Sequence, residues 1–151
     1  MSSDAVHIIQ PSQAGAERAL RAALRDAHLR PDQVGYINAH GTATDANDSM
    51  EVAAIRGVFG DHANHVMVSS TKSMHGHTLG AAGAIEAATA VLALRDRVLP
   101  PTANYTTPDP ACNLDVIPNT AREANVDFAL SNSFAFGGLN AVLAFRAFRG
   151  A

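Results

Sequence analysis

The sequence contains a single cysteine, Cys112, among 151 residues. One thiol excludes a disulfide within the chain and is typical of a reducing compartment. Residues 1–10 lack a basic stretch followed by an apolar run, and the one long apolar helix that the sequence predicts contains Glu86. We therefore predict neither a signal peptide nor a membrane-spanning helix, and we expect a cytoplasmic protein that does not bind a membrane.

The sequence also has only a small excess of negative over positive charge. The formal net charge is −3, and no basic run carries interleaved aromatic residues. These features argue against nucleic acid as a partner. The sequence has no internal repeat and no low-complexity segment, while 47% hydrophobic and 17% charged residues are typical of one globular domain with a sizeable core.

Hydrophobic periodicity predicts an α/β fold. Apolar residues recur every three or four positions over 12–29, which indicates an amphipathic helix capped by Ser12 and ended by Pro31. Short apolar runs at 34–39 and 66–68 predict buried strands, each followed by a further helix. The predicted order is helix, strand, helix, strand, helix, strand, strand, which implies a mixed sheet with parallel pairs covered by helices.

Acidic residues crowd the first turns of the second predicted helix, namely Asp45, Asp48 and Glu51. The positive end of the helix dipole is sufficient to explain them, so they do not indicate a metal site.

The segment 69–84 places a lysine, several hydroxyls and two histidines between the strand at 66–68 and a helix predicted over 76–97. Loops at the carboxyl ends of strands form the crevice where open α/β sheets place their chemistry. The helix is apolar all round, which predicts burial on every side and a positive dipole end directed at His77. Glu86 interrupts it, and a buried carboxylate needs a nearby cation, for which Lys72 is the nearest candidate. The alternative is that Glu86 lies on an exposed strip and Lys72 is a solvated loop residue.

The last third of the chain contains a long loop and two strands. The loop at 102–125 is rich in Pro, Asn and Asp and contains Cys112; a loop of that length often has a function or covers a neighbouring element. Two strands joined by a glycine turn are predicted around Gly137 and Gly138. These glycines are equally suited to bringing backbone N–H groups close to a ligand.

Three motifs occur in one order along the chain: NAHGTAT at 38–44, SSTKSMHGHTLGAAG at 69–83 and NSFAFGGLN at 132–140. Together they closely resemble the β-ketoacyl-acyl carrier protein synthases of the elongating type, which use one cysteine and two histidines. The resemblance extends over almost the whole chain and implies the C-terminal half of a thiolase-like fold over 1–151, with one central buried helix. In that family the nucleophilic cysteine belongs to the N-terminal half, so we interpret Cys112, which lies outside every motif, as an ordinary thiol.

The resemblance implies roles for particular residues. His40 and His77 match the histidines that donate hydrogen bonds to the malonyl thioester carbonyl and stabilise the enolate formed as carbon dioxide leaves. Lys72 and Glu86 match the family's lysine and its carboxylate partner.

Residues of the first and last motifs match binding and gating positions of the family. Thr42 and Thr44 match the threonines that hold the phosphopantetheine arm of an acyl carrier protein. The backbone N–H of Phe136 matches one oxyanion-hole donor, and Phe134 and Phe136 lie in the loop that gates the acyl pocket. Ala135 stands where the family usually has a glycine, which leaves the acyl length open. No metal or redox cofactor is implied, because the substrates are carried on the carrier protein.

Two histidine pairs have ligand-like spacing, at 75 and 77 and at 62 and 65. Neither has an acidic or thiol companion at matching spacing, so a metal site is not expected. His75 is also not one of the two histidines that the family uses.

Two functions from different classes follow. The chain is half of a condensing enzyme, completed by an N-terminal half and served by an acyl carrier protein in fatty acid or polyketide synthesis, or it is a non-catalytic subunit or truncated domain with a chain-length or carrier-binding role. A thiolase is a weaker interpretation, because it would need a catalytic cysteine near a glycine-rich motif here. Since half a domain cannot cover the apolar helix, we expect a dimer or higher oligomer, or poor stability of the isolated chain.

Overall fold

A computed structural model describes residues 1–4 and 7–150. Its strands are β1 (Ser2–Ser3), β2 (Tyr36–Asn38), β3 (Met67–Ser69), β4 (Val98–Leu99), β5 (Asp115–Val116), β6 (Arg122–Glu123), β7 (Phe128–Ala135) and β8 (Leu139–Arg146). Its α-helices are α1 (Gln13–Asp26), α2 (Asp48–Phe59), α3 (Lys72–His75) and α4 (Ala82–Asp96).

Six strands form one mixed sheet in the order β1-β8-β7-β2-β3-β5. Strand β2 is central and pairs in parallel with both β3 and β7, while β7 and β8 form a long antiparallel hairpin. Asn38 lies opposite Ser69 on one side and Ser131 on the other. The carboxyl ends of these three strands therefore meet at one edge, which brings the segments after β2 and β3 together. The predicted α/β class and the predicted glycine-turn hairpin are confirmed.

Helices cover both faces of the sheet, because successive strand residues point to opposite faces. Ile37 packs with α1 and α2 in one apolar cluster, whereas its neighbour Tyr36 packs with Leu94 of α4 in a second. Both are completely buried. Full burial of a side chain of this size contributes about 1.5–3 kcal/mol, so the alternation in β2 fixes the placement of the helices.

Helix α1 begins as predicted and ends earlier. The Ser12 side chain accepts a hydrogen bond from the Gly15 N–H at 3.2 Å, which caps the helix. The helix stops at Asp26 because His28 adopts a left-handed conformation with φ of 54°. Pro31 lies beyond this stop and begins a short 3₁₀ turn.

The long helix is the main difference from the prediction over 76–97. Helix α4 begins at Ala82, because Gly76 and Leu79 have φ values of 76° and 51°, which an α-helix does not accommodate. It ends at Asp96, where Arg97 takes the left-handed conformation. Burial on every side is also wrong for this chain. One face packs on β7 and β8, and the other exposes Ile85, Val91 and Leu92.

The segment 102–125, predicted as a loop, contains the short strands β5 and β6. Strand β5 extends the main sheet beside β3, and β6 pairs with β4 in a separate two-stranded sheet. These strands have two residues each, too few for a period of two to be recognised in the sequence. The segment is therefore paired with the sheet, and its Thr102 hydroxyl also accepts a hydrogen bond from the Ser70 N–H at 3.0 Å, in the segment that follows β3.

Candidate active site at the carboxyl edge of the sheet

His40 and His77 lie together at the end of the parallel strands. Their ring centroids are 5.6 Å apart and their planes are nearly perpendicular, at 86°. His40 follows β2 and is only 9% exposed, whereas His77 follows α3 and is exposed. The sheet register thus brings two residues 37 positions apart to one point.

The tautomer of His77 follows from its hydrogen bond. The Leu79 N–H donates to His77 Nδ1 at 3.2 Å, so Nδ1 carries a lone pair. In the neutral ring the proton then resides on Nε2. In that tautomer, Nε2 is the ring nitrogen with which His77 can donate a hydrogen bond to a ligand.

His40 is held in its neutral form. Burial, followed by the positive charges of Lys72 and His77, lowers the pKa of His40 to about 3. Its Nδ1 is buried without a hydrogen-bond partner among the described residues. The ring also makes an edge contact with Phe134 at 5.8 Å, and Phe134 is itself buried. A neutral imidazole at this place retains one N–H to donate.

Lys72 and Glu86 form a buried ion pair. The Nζ of Lys72 donates to Glu86 Oε1, and the two side chains are 4% and 0% exposed. The predicted pair is present, and the alternative of a solvated lysine beside an exposed glutamate is wrong. Because removing one partner would leave an uncompensated buried charge, the pair fixes α3 against α4.

Glu51 is a buried residue of this region that our sequence interpretation missed. Its Oε1 accepts hydrogen bonds from the His40 N–H at 2.9 Å and from Asn132 Nδ2 at 3.0 Å. Its Oε2 accepts from the Gly41 N–H at 2.9 Å and from Asn47 Nδ2 at 3.2 Å. Burial raises the pKa of the Glu51 carboxyl, and these four donors oppose that shift. The carboxylate is therefore the anchor of the loop that carries His40.

The attribution of Glu51 to the helix dipole was incomplete, and a signal was available. Glu51 precedes Ala54, Ile55 and Val58 by three, four and seven residues, and these three are buried on the inner face of α2. An acidic residue at such a position is buried and needs partners. Asp45 lies outside the helix altogether.

The remaining predicted residues are distributed around this centre. The hydroxyls of Thr42 and Thr44 lie 3.0 Å apart; Thr42 is half-buried and Thr44 exposed. Phe136 begins the turn between β7 and β8 and is 75% exposed. Thr42 therefore lies with His77 around one cavity, whereas Phe136 lies in an exposed turn.

A cavity of about 380 Å³ adjoins the site and is lined by His77, Lys72 and Thr42. Cys112 lies away from the motifs in sequence, but it lines the same cavity in space. Burial, followed by the nearby negative charges of Asp109 and Asp48, raises the pKa of its thiol. A raised pKa disfavours the thiolate that a nucleophile requires, which supports the interpretation of Cys112 as an ordinary thiol.

Residues 1–4 and 7–150 contain no group of three or more His, Cys, Asp or Glu side chains arranged to hold a metal ion. His62 and His65 have ring centroids 6.1 Å apart without a third such ligand in the part of the chain described. No helix in these ranges is long and apolar enough to cross a membrane.

The sequence is similar to a nodulation protein and to a 3-oxoacyl-[acyl-carrier-protein] synthase. It is 59% identical over 146 residues to Nodulation protein E of Rhizobium leguminosarum bv. trifolii, covering 97% of this chain and 36% of that protein. It is 52% identical over 145 residues to 3-oxoacyl-[acyl-carrier-protein] synthase 2 of Coxiella burnetii, covering 95% of this chain and 35% of that protein. The chain thus spans about a third of the length of these relatives.

Solved structures of ketosynthases have the same fold as this chain over nearly all of its length. The ishigamide ketosynthase/chain length factor matches with a TM-score of 0.94 and 44% identity, over 98% of this chain and 36% of that one. A β-ketoacyl synthase from Burkholderia phymatum matches with a TM-score of 0.92 and 43% identity, over 97% and 36%. These matches confirm the thiolase-like fold class. The family model for the β-ketoacyl synthase C-terminal domain matches residues 1–106. More than two thirds of the sequence is covered by that match, and the chain therefore belongs to the β-ketoacyl synthase family.

Proposed function

We propose that this chain is the C-terminal part of a 3-oxoacyl-[acyl-carrier-protein] synthase, acting in fatty acid or polyketide synthesis. The observation that carries the proposal is the His40 and His77 pair, 5.6 Å apart at the edge of the sheet and beside the buried charge of Lys72. Its similarity to 3-oxoacyl-[acyl-carrier-protein] synthases supports the same conclusion.

The two histidines act as hydrogen-bond donors to one oxygen. As the malonyl group loses carbon dioxide, negative charge develops on the thioester carbonyl oxygen, and two N–H groups stabilise the enolate. His77 is disposed to donate from Nε2 because the Leu79 N–H occupies its Nδ1. His40, with a pKa of about 3, is neutral at physiological pH. Because the N–H of a neutral imidazole is a very weak acid, His40 donates a hydrogen bond to the enolate oxygen without protonating the enolate at carbon.

Lys72 acts through its charge. It is the larger of the two charged influences that lower the pKa of His40, and it lines the cavity beside His77. Glu86 holds the lysine in place. In this proposal burial keeps His40 neutral, and the Lys72 charge adds to that effect and stands near the developing enolate.

The nucleophile comes from the N-terminal half of the synthase. Its cysteine thiolate takes the acyl group from one carrier-protein thioester and releases that carrier's thiol. The enolate carbon of the decarboxylated malonyl group then attacks the acyl thioester, which forms the carbon–carbon bond and frees the cysteine. The backbone N–H of Phe136 serves as one oxyanion donor in these transfers, with Phe134 and Phe136 gating the acyl pocket. Thr42 and Thr44 hold the phosphopantetheine arm, so no further cofactor is required.

Two partners are proposed besides that half. One solved relative is described as a type II PKS acyl-carrier protein in complex with its ketosynthase, and another as a ketosynthase in complex with its chain length factor. We propose an acyl carrier protein and a second synthase-type subunit for this chain. The exposed face of α4, with Ile85, Val91 and Leu92, fits burial against the N-terminal half.

The test is reconstitution. The purified chain is assayed for condensation of acyl- and malonyl-carrier protein, alone and with the N-terminal half of a related synthase, with His77→Ala as the inactive variant and His65→Ala as the matched control. His65 is exposed and lies in the turn after α2. Activity that needs the added half and disappears only in His77→Ala supports the proposal. Association of the halves without any turnover would instead favour a non-catalytic subunit, the second candidate suggested by the chain length factor complexes.

A further inference from the structure

His75 is the other histidine of the segment 69–83 besides His77, and the proposed reaction does not use it. It is the last residue of α3 and is half-buried. Its ring makes two hydrogen-bond contacts: Nδ1 lies 2.8 Å from the Gly76 carbonyl oxygen and Nε2 lies 3.2 Å from Thr71 Oγ1. Both ring nitrogens are therefore engaged by the protein.

The direction of these bonds follows from the chemistry of the partners. A carbonyl oxygen can only accept, so His75 Nδ1 carries the proton and donates to Gly76. In the neutral ring Nε2 can only accept, and its donor is the Thr71 hydroxyl at 3.2 Å; the other acceptor within reach of that hydroxyl, Asn38 Oδ1, lies at 3.3 Å. Thr71 Oγ1 in turn accepts from Asn38 Nδ2 at 3.1 Å. The result is one directed chain of hydrogen bonds from Asn38 through Thr71 and His75 to the Gly76 carbonyl.

The ends of this chain lie beside the two candidate catalytic histidines. Asn38 is the last residue of β2, two residues before His40, and it is completely buried. Gly76 immediately precedes His77. The chain of hydrogen bonds therefore connects the strand end that carries His40 with the peptide group that carries His77.

The orientation of the Gly76 peptide group determines where His77 lies, so a hydrogen bond to the Gly76 carbonyl restricts the position of His77. Gly76 has φ of 76° and ψ of 173°, a conformation that is essentially restricted to glycine. Its N–H is held by the Lys72 carbonyl at 2.9 Å, but its carbonyl side leads directly to the exposed His77. Glycine loses more backbone freedom on ordering than any other residue. The His75 ring fixes that carbonyl and so the orientation of the peptide that carries His77.

We propose that His75 is a positioning residue that holds His77 at its spacing and orientation relative to His40. The structural part of this inference is independent of the reaction, and only its kinetic consequence rests on the proposed function. The residue touches neither His40 nor the donor of His77; it acts through Thr71 and Gly76.

Three substitutions separate the two contacts. His75→Asn retains a donor near the Nδ1 position and can still reach Gly76, His75→Gln retains a polar atom near the Nε2 position and can still reach Thr71, and His75→Ala retains neither. His65→Ala is the control at an exposed histidine outside this network.

The first readout is spectroscopic and uses the full 151-residue chain. The ¹⁵N shifts of His77 report its tautomer, and hydrogen exchange of the Leu79 amide reports the bond to His77 Nδ1. We expect His75→Ala to move both His77 ring shifts toward tautomer averaging and to speed Leu79 exchange severalfold, with His75→Asn closest to the wild type. Unchanged His77 shifts and Leu79 exchange in His75→Ala would overturn the proposal. Equal changes in all three variants, matched by an equal loss of global stability, would also overturn it, because they indicate a merely structural residue.

The second readout is kinetic and uses the reconstituted synthase. We expect His75→Ala to lower kcat by 10-fold or more, on the order of what a small misplacement of a catalytic group costs, with KM for malonyl-carrier protein changed less than about twofold. A rise in KM at constant kcat would overturn the positioning role. If the wild-type assembly shows no condensation, the proposed function fails while the spectroscopic result still decides the role of His75.

Discussion

Replacing the carboxylate of Glu51 should disorganise the His40 loop. This side chain is 2% exposed and accepts four hydrogen bonds, two on each oxygen. In Glu51→Gln one oxygen becomes an NH₂ group, which cannot accept. The amide can satisfy either the donors His40 N–H and Asn132, or the donors Gly41 N–H and Asn47, but not both pairs.

The magnitude follows from the donors left without an acceptor. Each buried donor without a partner costs about 1–3 kcal/mol, so two of them predict a loss of about 2–6 kcal/mol in the free energy of unfolding. That is a large part of the roughly 5–15 kcal/mol that stabilises an ordinary domain. Asp48→Asn is the matched control, because Asp48 lies three residues earlier in the same helix, is half-buried, and as asparagine keeps an oxygen that can accept from Asn47 Nδ2, as Asp48 Oδ1 does at 3.1 Å. There the expected loss is about 1 kcal/mol or less, from the helix dipole.

Equilibrium urea unfolding of the chain measures both values. The account predicts that Glu51→Gln lowers the midpoint clearly more than Asp48→Asn does, with an unchanged slope. A loss below about 1 kcal/mol in Glu51→Gln would refute the reasoning, because it would mean that water or a rearranged loop satisfies the freed donors.

Three further outcomes are expected. Because the pKa of His40 is lowered from 6.5 to about 3, the stability that this residue contributes is complete above pH 6.5, and the free energy of unfolding falls by about 1.4 kcal/mol per pH unit as the pH drops toward 3. Urea unfolding at pH 6.5 and at pH 5 should therefore show a loss of unfolding free energy that is about 2 kcal/mol smaller in His40→Gln than in the wild type. Equal losses in the two proteins would contradict the shift. Lys72→Met should cost about 3–5 kcal/mol by leaving Glu86 charged and unpaired, and the double variant with Glu86→Gln should recover much of this in the same unfolding assay; a double variant no more stable than the single would argue against a charged pair. The isolated chain should self-associate and bind an apolar fluorescent dye, less strongly in Leu92→Ser, whereas a monodisperse monomer without dye binding would count against an uncovered α4 face.

Much of the fold was readable because long elements repeat their pattern. The apolar stripe of α1 extends over enough residues for its period to be recognised, and the paired glycines mark the turn between β7 and β8. The strands β4, β5 and β6 were missed because two residues carry no period, and they exist through pairing with distant partners. The start of α4 was misplaced because composition alone does not reveal the positive φ values at Gly76 and Leu79.

The candidate site was predictable where chemistry and burial conflict. Glu86 lies among alanines on a helix, so its carboxylate was expected to be buried and to need a cation as partner, and Lys72 is that cation. Glu51 posed the same conflict on α2, but a second explanation, the helix dipole, concealed it. The contacts of His75 depend on the turn at Gly76, which only the three-dimensional structure reveals.

The most direct test of the central claim is the decarboxylation of malonyl-carrier protein by the reconstituted synthase, compared in the wild type, His40→Ala, His77→Ala and the control His65→Ala. If the two histidines jointly stabilise the enolate, each single alanine variant should lower kcat by on the order of 100-fold or more, the double variant should be little worse than either single, and His65→Ala should match the wild type. Decarboxylation that persists at the wild-type rate in both single variants would contradict the account, because the pair at the edge of the sheet would then take no part in the chemistry.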